Sequence, residues 1–306
     1  MSQDKPLDGQ VALVAGATRG TGRAFAVELA RAGAIVYASG RSSRSKRSEM
    51  DRPETIEGTA ELIAEAGGVG HAVVCDHLDR EQVRDLVARI ESEQGRLNVL
   101  VNDIWGGDHL TDWEAKLWEH DLDKGLHALR LAIDTHIITN HEALPLLVKN
   151  PHGLVVEITD GTWDFPNNEY RGTFFYDLAK ITPPRIAFAL ATELKDFGGM
   201  AVSLTPGWIR SEAMLDEFGV TEANWRDGTK KDPEFCMTES PYYVARCLVA
   251  LASDPKRERW NGKSVASWDL APEYGVTDID GTQPSFLRFI RDVREDGAPI
   301  DDSKYR

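Results

Sequence analysis

Val11-Ala-Leu-Val-Ala15 is an apolar run too short for a helix, and it stops at Gly16-Ala-Thr-Arg-Gly20-Thr-Gly22. Immediately beyond, residues 20–32 carry Phe25, Val27 and Leu29 among small residues, a helical composition. An apolar strand, a glycine turn and a helix in that order commit the chain to a βα unit, and the remaining sequence repeats the theme. Strands are expected at 34–38, 71–75, 97–101, 154–158, 201–204 and 263–267. Helices are expected at 54–66, 81–93, 126–147, from Tyr176 toward Leu194, and at 242–252. The polar, basic stretch 41–52, the Trp- and acid-rich stretch 105–122 and the partly helical 206–239 are read as excursions. Alternation of this kind predicts an α/β fold: a doubly wound parallel sheet in a Rossmann-type three-layer α/β/α single domain. That domain takes residues 1–268. Residues 269–306, whose apolar positions are sparse, form a tail packed on it.

The formal charge of −15 argues against nucleic acid or an anionic membrane as the main partner, because both attract basic surfaces. Cys75, Cys236 and Cys247 are too widely spaced for a metal pattern or a disulfide framework. They read as reduced thiols, and with no apolar leader or ~20-residue apolar span the expected location is cytoplasmic. His109, His120 and His136 show no metal-ligand spacing, and no metal site is expected.

Two features carry chemistry. Glycines between a strand and a helix let the backbone turn tightly and bring helix N–H groups against a pyrophosphate. The spacing here is G-xxx-G-x-G. The second is Tyr176-Asp-Leu-Ala-Lys180: of seven tyrosines, only Tyr176 has a lysine four residues on. On a helix the pair shares one face, where an ammonium would stabilise a phenolate and pull the phenol toward neutrality.

The two motifs in this order resemble the short-chain dehydrogenase/reductase family, over roughly residues 7–267. Asp76, with His77 beside it, fits the family's adenine-contacting position, Leu100-Val-Asn102 its strand-four motif, and Pro206-Gly207-Trp-Ile209-Arg-Ser211 its nicotinamide-side motif. The ending, Asp269-Leu-Ala-Pro-Glu-Tyr-Gly275, resembles one branch of that family. The resemblance implies an oxidoreductase in which Tyr176 protonates a carbonyl oxygen and Lys180 holds the nicotinamide ribose. It also implies cofactor contacts from Gly16, Arg19, Gly20, Thr21, Gly22, Arg41, Asp76, His77, Asn102, Pro206, Gly207 and Ile209, and a homodimer or homotetramer paired through long helices.

Where an NAD-binding carboxylate would follow the second strand, the chain has Ser39-Gly40-Arg41, and Arg19 sits within the glycine loop. Two arginines from adjacent loops suit a 2′-phosphate, so NADP(H) is expected over NAD(H). Arg44, Lys46 and Arg47 read as a solvated loop.

The catalytic set departs from the family in three places. The family's substrate-binding serine aligns with Asp160, and an ionised carboxylate cannot donate a hydrogen bond. Either Asp160 is held protonated by burial, or Thr159 or Thr162 supplies the hydroxyl, or the chemistry is lost; Thr162 is preferred. Asn-Asn-Ala-Gly becomes Asn102-Asp103-Ile104-Trp105, and the relay asparagine either aligns with Asp123, which reads as a surface carboxylate, or has no counterpart. Pro183-Pro184 predict a kink or break just past Lys180, with Thr182 capping a restarted helix. Trp105, Trp163 and Trp208 follow strand ends, where they would suit an apolar or aromatic carbonyl or alcohol substrate. The competing function is an NADP(H)-binding regulatory or interaction protein that kept the fold and lost the reaction.

Overall fold

The computed structural model describes residues 5–162 and 170–306. The first half alternates β1 (Val11–Ala15), α1 (Gly20–Arg31), β2 (Ile35–Gly40), α2 (Ile56–Glu65), β3 (Val69–Val74), α3 (Arg80–Gln94) and β4 (Val99–Asn102). It continues with α4 (Leu122–Ala132), α5 (Asp134–Leu147), β5 (Leu154–Ile158), α6 (Phe174–Glu193) and β6 (Met200–Thr205). Then follow α7 (Glu212–Phe218), α8 (Pro241–Ser253), β7 (Ser264–Ala266), α9 (Ser267–Tyr274) and α10 (Phe286–Phe289). Among the described residues seven strands form one parallel sheet, ordered β3-β2-β1-β4-β5-β6-β7.

Strand alternation divides the core in two. Ala12, Val14, Val36, Val101, Val156 and Leu204 face the layer containing α1, α8 and α9. Val11, Leu13, Tyr37, Leu100, Val155 and Ala201 face the layer of α3, α5 and α6. Covering both faces is why the strands read as near-continuous apolar runs.

Two helix expectations are corrected. The helix expected over 126–147 is two helices. The first starts at Leu122, where the Asp121 carboxylate accepts from the Lys124 amide (3.1 Å), and regular geometry is interrupted at Ile133, whose φ widens to −110°. The break expected past Lys180 is absent: α6 runs from Phe174 through Pro183 and Pro184 to Glu193. Pro184 removes the N–H that would bond the Lys180 carbonyl four residues back. The Thr159 hydroxyl, reaching from the end of β5, donates to that carbonyl instead. Thr182 caps nothing; its hydroxyl donates to the Leu178 carbonyl (2.8 Å). A side chain from another element thus offsets part of the ~3 kcal/mol that an internal proline costs.

Residues 269–306 make buried contacts with the rest of the chain. Residue 268 itself lies inside α9. Phe289, Ile290 and Tyr305 pack with Cys236 and Met237, and the buried Asp278 carboxylate accepts from the Ser240 amide (3.0 Å) and pairs with Arg210 (3.2 Å). Arg210, fully buried, also pairs with Glu222 (2.8 Å), and Arg210 and Arg306 both lie over the Trp225 ring (4.4 and 4.7 Å). The tail thereby holds the 206–239 excursion against the sheet.

Candidate active site

A cavity of about 940 Å³ opens at the carboxyl ends of the strands, around the crevice between β1 and β4 where the strand order reverses. Its cofactor-side wall begins at the turn between β1 and α1. Gly16 has φ +90°, and a Cβ there would stand 2.3 Å from the Asp103 carbonyl oxygen; one on Gly22 would stand 2.3 Å from the Gly16 oxygen. Only glycine lets this turn and the β4 end close together. The start of α1 already holds an anion of the chain's own: the Gly20 amide donates to Glu212 Oε2 (2.9 Å), and Arg23 pairs with the same carboxylate (3.2 Å). A donor that captures a carboxylate fits a phosphate oxygen.

Of the expected cofactor residues, Gly16, Arg19, Gly20, Thr21, Arg41 and Asp76 line the cavity. His77, Pro206, Gly207, Ile209, Tyr176 and Lys180 line it too. Gly22 and Asn102 do not. Asn102 turns into the core, its Nδ2 donating to Glu157 Oε1 (2.9 Å). Arg41 lies between Glu49 (3.3 Å) and Asp76 (3.9 Å). Burial pushes the Arg19 guanidinium down, against the attraction of Glu54, Asp108 and Glu212. His77 is bonded through its two ring nitrogens to Ser39 Oγ (2.9 Å) and Thr139 Oγ1 (2.8 Å), and burial lowers its pKa to about 3, so the ring is neutral.

α6 presents Tyr176 and Lys180. Thr173 caps the helix by accepting from the Tyr176 amide (3.4 Å), which puts Tyr176 in the first turn and Lys180 in the next. The Tyr176 hydroxyl donates to Asp160 Oδ2 (2.9 Å). Its ring sits between Trp105 (5.7 Å) and Trp113 (4.9 Å), and the Lys180 ammonium lies 4.2 Å from the Trp105 ring centre. Burial, then the Asp160 charge and hydrogen bond, push the phenol well above its ordinary value. Lys180 does not pull it toward neutrality as the spacing predicts; burial lowers Lys180 itself, against the pull of Asp160, Asp108 and Asp103. Tyr176 is therefore a protonated phenol, a donor.

The departures from the family's set fall into place around this pair. Asp160 lines the cavity beside Tyr176, whereas Thr162 is buried off the cavity wall. Thr159 lines the cavity but spends its hydroxyl on the Lys180 carbonyl. Asp103 is half-buried, accepts from Thr21 Oγ1 (2.7 Å), and is raised by desolvation to about 6. Asp123 is exposed on α4. Trp105 and Trp208 line the cavity; Trp163 lies outside the described residues. Among the described residues no three His, Cys, Asp or Glu side chains gather as a metal site.

Several residues escape sequence reasoning. Phe286, Ile290, Arg294 and Glu295 come from the tail into the cavity, and their apolar members share the i, i+4 spacing that could have marked them. Beneath the floor, His136 Nδ1 meets Glu157 Oε2 (2.5 Å), and Asn140 Nδ2 donates to Glu157 Oε1 (2.7 Å). His136 and Asn140 share one face of α5, but nothing local in the sequence links them to Glu157.

Glu239 lies buried behind the Pro206-Gly207 wall, accepting from Ser267 Oγ (2.8 Å), and burial raises its pKa to about 8. The folded chain holds that proton after the unfolded chain has lost it, so stability falls as pH rises toward 8. Between pH 6 and 8 the loss from this one group is about 2 kcal/mol. Glu239→Gln is expected to flatten that part of the pH dependence in chemical denaturation; an unchanged slope would assign the dependence elsewhere.

A family model described as short chain dehydrogenase matches residues 10–219 of the chain. Dehydrogenase/reductase SDR family member 1 of Mus musculus is 34% identical over 90% of this chain and 85% of its own length; the Homo sapiens protein of that name is 32% identical over the same shares. Among solved structures, a short chain dehydrogenase from Mycobacterium thermoresistibile is similar in fold (TM-score 0.74, 23% identity, 89% of this chain and 90% of that one). So is a Shigella flexneri structure described as a short chain dehydrogenase complexed with NADP (TM-score 0.68, 20% identity, 87% and 99%).

Proposed function

Since the chain belongs to the short-chain dehydrogenase/reductase family and is an NAD(P)-dependent oxidoreductase, we propose that it is an NADP(H)-dependent carbonyl reductase or alcohol dehydrogenase acting on an apolar or aromatic substrate. The observation that carries this reading is the meeting of the glycine turn, the Tyr176 hydroxyl and Lys180 in one cavity. The N–H groups at Gly20 and Thr21 would hold the pyrophosphate, Arg19 and Arg41 the 2′-phosphate, Asp76 the adenine side and Lys180 the nicotinamide ribose. Pro206, Gly207 and Ile209 would flank the nicotinamide, which when bound supplies or accepts hydride. Tyr176, kept protonated, donates to a carbonyl oxygen as charge develops on it. Trp105 and Trp208 give the substrate apolar walls.

The test is NADPH and NADH binding followed by loss of nicotinamide absorbance over a panel of aromatic and aliphatic aldehydes and ketones. Turnover with NADPH preferred is the expected result. Tight NADPH binding without turnover of any carbonyl would favour the second reading, a cofactor-binding regulatory protein. Its specific support is Asp160, a carboxylate where a neutral hydroxyl donor would serve.

The same reading carries assembly. Leu122 and Leu126 on α4, Ile137 on α5, and Leu178 and Phe188 on α6 are all exposed. Their side chains suit pairing with a second copy through these helices. Leu126→Glu with Phe188→Glu is expected to convert a dimer or tetramer to monomer in analytical ultracentrifugation; a wild-type monomer would refute the assembly. Cys75, Cys236 and Cys247 are free and buried, which suits a cytoplasmic setting.

A further inference from the structure

We propose that Asp160 is the proton carrier of this site, exchanging the Tyr176 proton with solvent in place of a relay through Lys180. The inference rests on the reading of Tyr176 as acid and base, and goes on to say where its proton comes from and goes.

Three observations point the same way. The Tyr176 hydroxyl is already committed to Asp160 Oδ2 at 2.9 Å, so the phenol's own proton lies on the line to the carboxylate. Asp160 is exposed and lines the cavity, so its carboxylate trades protons directly with water. The groups the family's relay would use lie elsewhere: Asp123, the best match to the relay asparagine, is exposed on α4, and Asn102 is bonded to Glu157.

Charge explains why the relay must be coupled. The groups that face the pair are Lys180 on α6, Arg171 just before it, Asp108 beyond β4 and Asp103 at the β4 end. A phenolate at Tyr176 would sit against the Asp160 carboxylate and inside a buried site, two costs that add. If the phenol takes a proton as it passes its own on, no phenolate forms. In alcohol oxidation, the carbinol O–H bond breaks toward the Tyr176 oxygen while the Tyr176 O–H bond breaks toward Asp160. The carbinol carbon loses its hydride to the oxidised nicotinamide, so two electrons and one proton leave there and the second proton rests on Asp160. Carbonyl reduction runs the same path backward. Asp160 then acts where a serine hydroxyl would only donate.

The test uses the full chain with benzyl alcohol and NADP⁺, and benzaldehyde and NADPH, as probes. Asp160→Asn keeps an acceptor for the Tyr176 hydroxyl but cannot take a proton. It is expected to lower kcat about 100-fold in both directions, with KM within about twofold, and to lose the limb of the oxidation pH profile that wild type shows. Asp160→Ala opens the position, and added formate is expected to restore its turnover about tenfold or more. Asparagine blocks the position, so formate should do nothing for that variant. A readout independent of turnover is tyrosinate absorbance of each protein minus its Tyr176→Phe counterpart as pH rises. With Asp160→Asn, Tyr176 is expected to ionise at lower pH than in wild type.

The outcomes separate. Wild-type kcat and pH profile in Asp160→Asn, with Tyr176→Phe inactive, would overturn the carrier and leave the acid/base reading standing. Activity surviving in Tyr176→Phe would overturn that reading and the carrier with it. If wild type turns over neither probe, an unmoved Tyr176 ionisation in Asp160→Asn overturns the carrier.

Discussion

Tyr176→Phe is expected to lower kcat for carbonyl reduction about a thousandfold while leaving NADPH affinity nearly unchanged. The substitution removes one oxygen from a ring otherwise held by packing. Trp105 and Trp113 remain at 5.7 and 4.9 Å, and the Thr173 cap that fixes the start of α6 involves only the residue 176 amide. What disappears is the donor that meets the developing charge on the substrate oxygen, which a fixed protein group supplies far better than water that must first reorient. Fluorescence titration with NADPH separates the two effects. Loss of cofactor binding together with activity would mean that the phenol shapes the pocket, and activity above about a tenth of wild type would place the acid elsewhere.

The second large effect concerns the cofactor's far end. Arg41→Ala is expected to weaken NADPH binding about 50-fold, the worth of a charge-assisted hydrogen bond to phosphate, and NADH binding by less than about threefold. The Arg41 guanidinium is now neutralised by Glu49 at 3.3 Å and approached by Asp76 at 3.9 Å, so a 2′-phosphate has to compete with Glu49. Glu49→Gln should accordingly tighten NADPH binding a few-fold without touching NADH. Equal losses for both nucleotides in Arg41→Ala would make Arg41 an anchor of the 41–52 loop and remove the basis for an NADP(H) preference. Calorimetry with each nucleotide distinguishes the cases.

What the sequence disclosed and what it withheld divide along a physical line. The strands other than the edge strand β3 were readable because each is a short apolar run buried on both faces. The turn at Gly16 was readable because only glycine permits its geometry. The tyrosine and lysine were readable because their spacing is a property of one helix. Each of these is local. The features that were missed all depend on contacts between distant segments. Proline's helix-breaking tendency was overridden at Pro184 by a hydroxyl 25 residues upstream, at Thr159. The break at Ile133 lies in a stretch that reads as one helical pattern. Phe286 and Ile290 carry an i, i+4 spacing, but that the tail reaches the cavity at all depends on contacts such as Asp278 with Arg210, far apart in the chain. The choice of Thr162 over Asp160 turned on which side chain points at Tyr176, a matter of loop path.

The Thr159 hydroxyl on the Lys180 carbonyl has a consequence for how this chain can change over generations. With proline at 184, a threonine or serine at 159 is not optional, since losing it strands a carbonyl directly behind the lysine of the site. With any other residue at 184, the helix bonds itself and position 159 is released. The two positions are therefore energetically coupled: a hydroxyl at 159 is worth more while proline stands at 184 than after another residue replaces it.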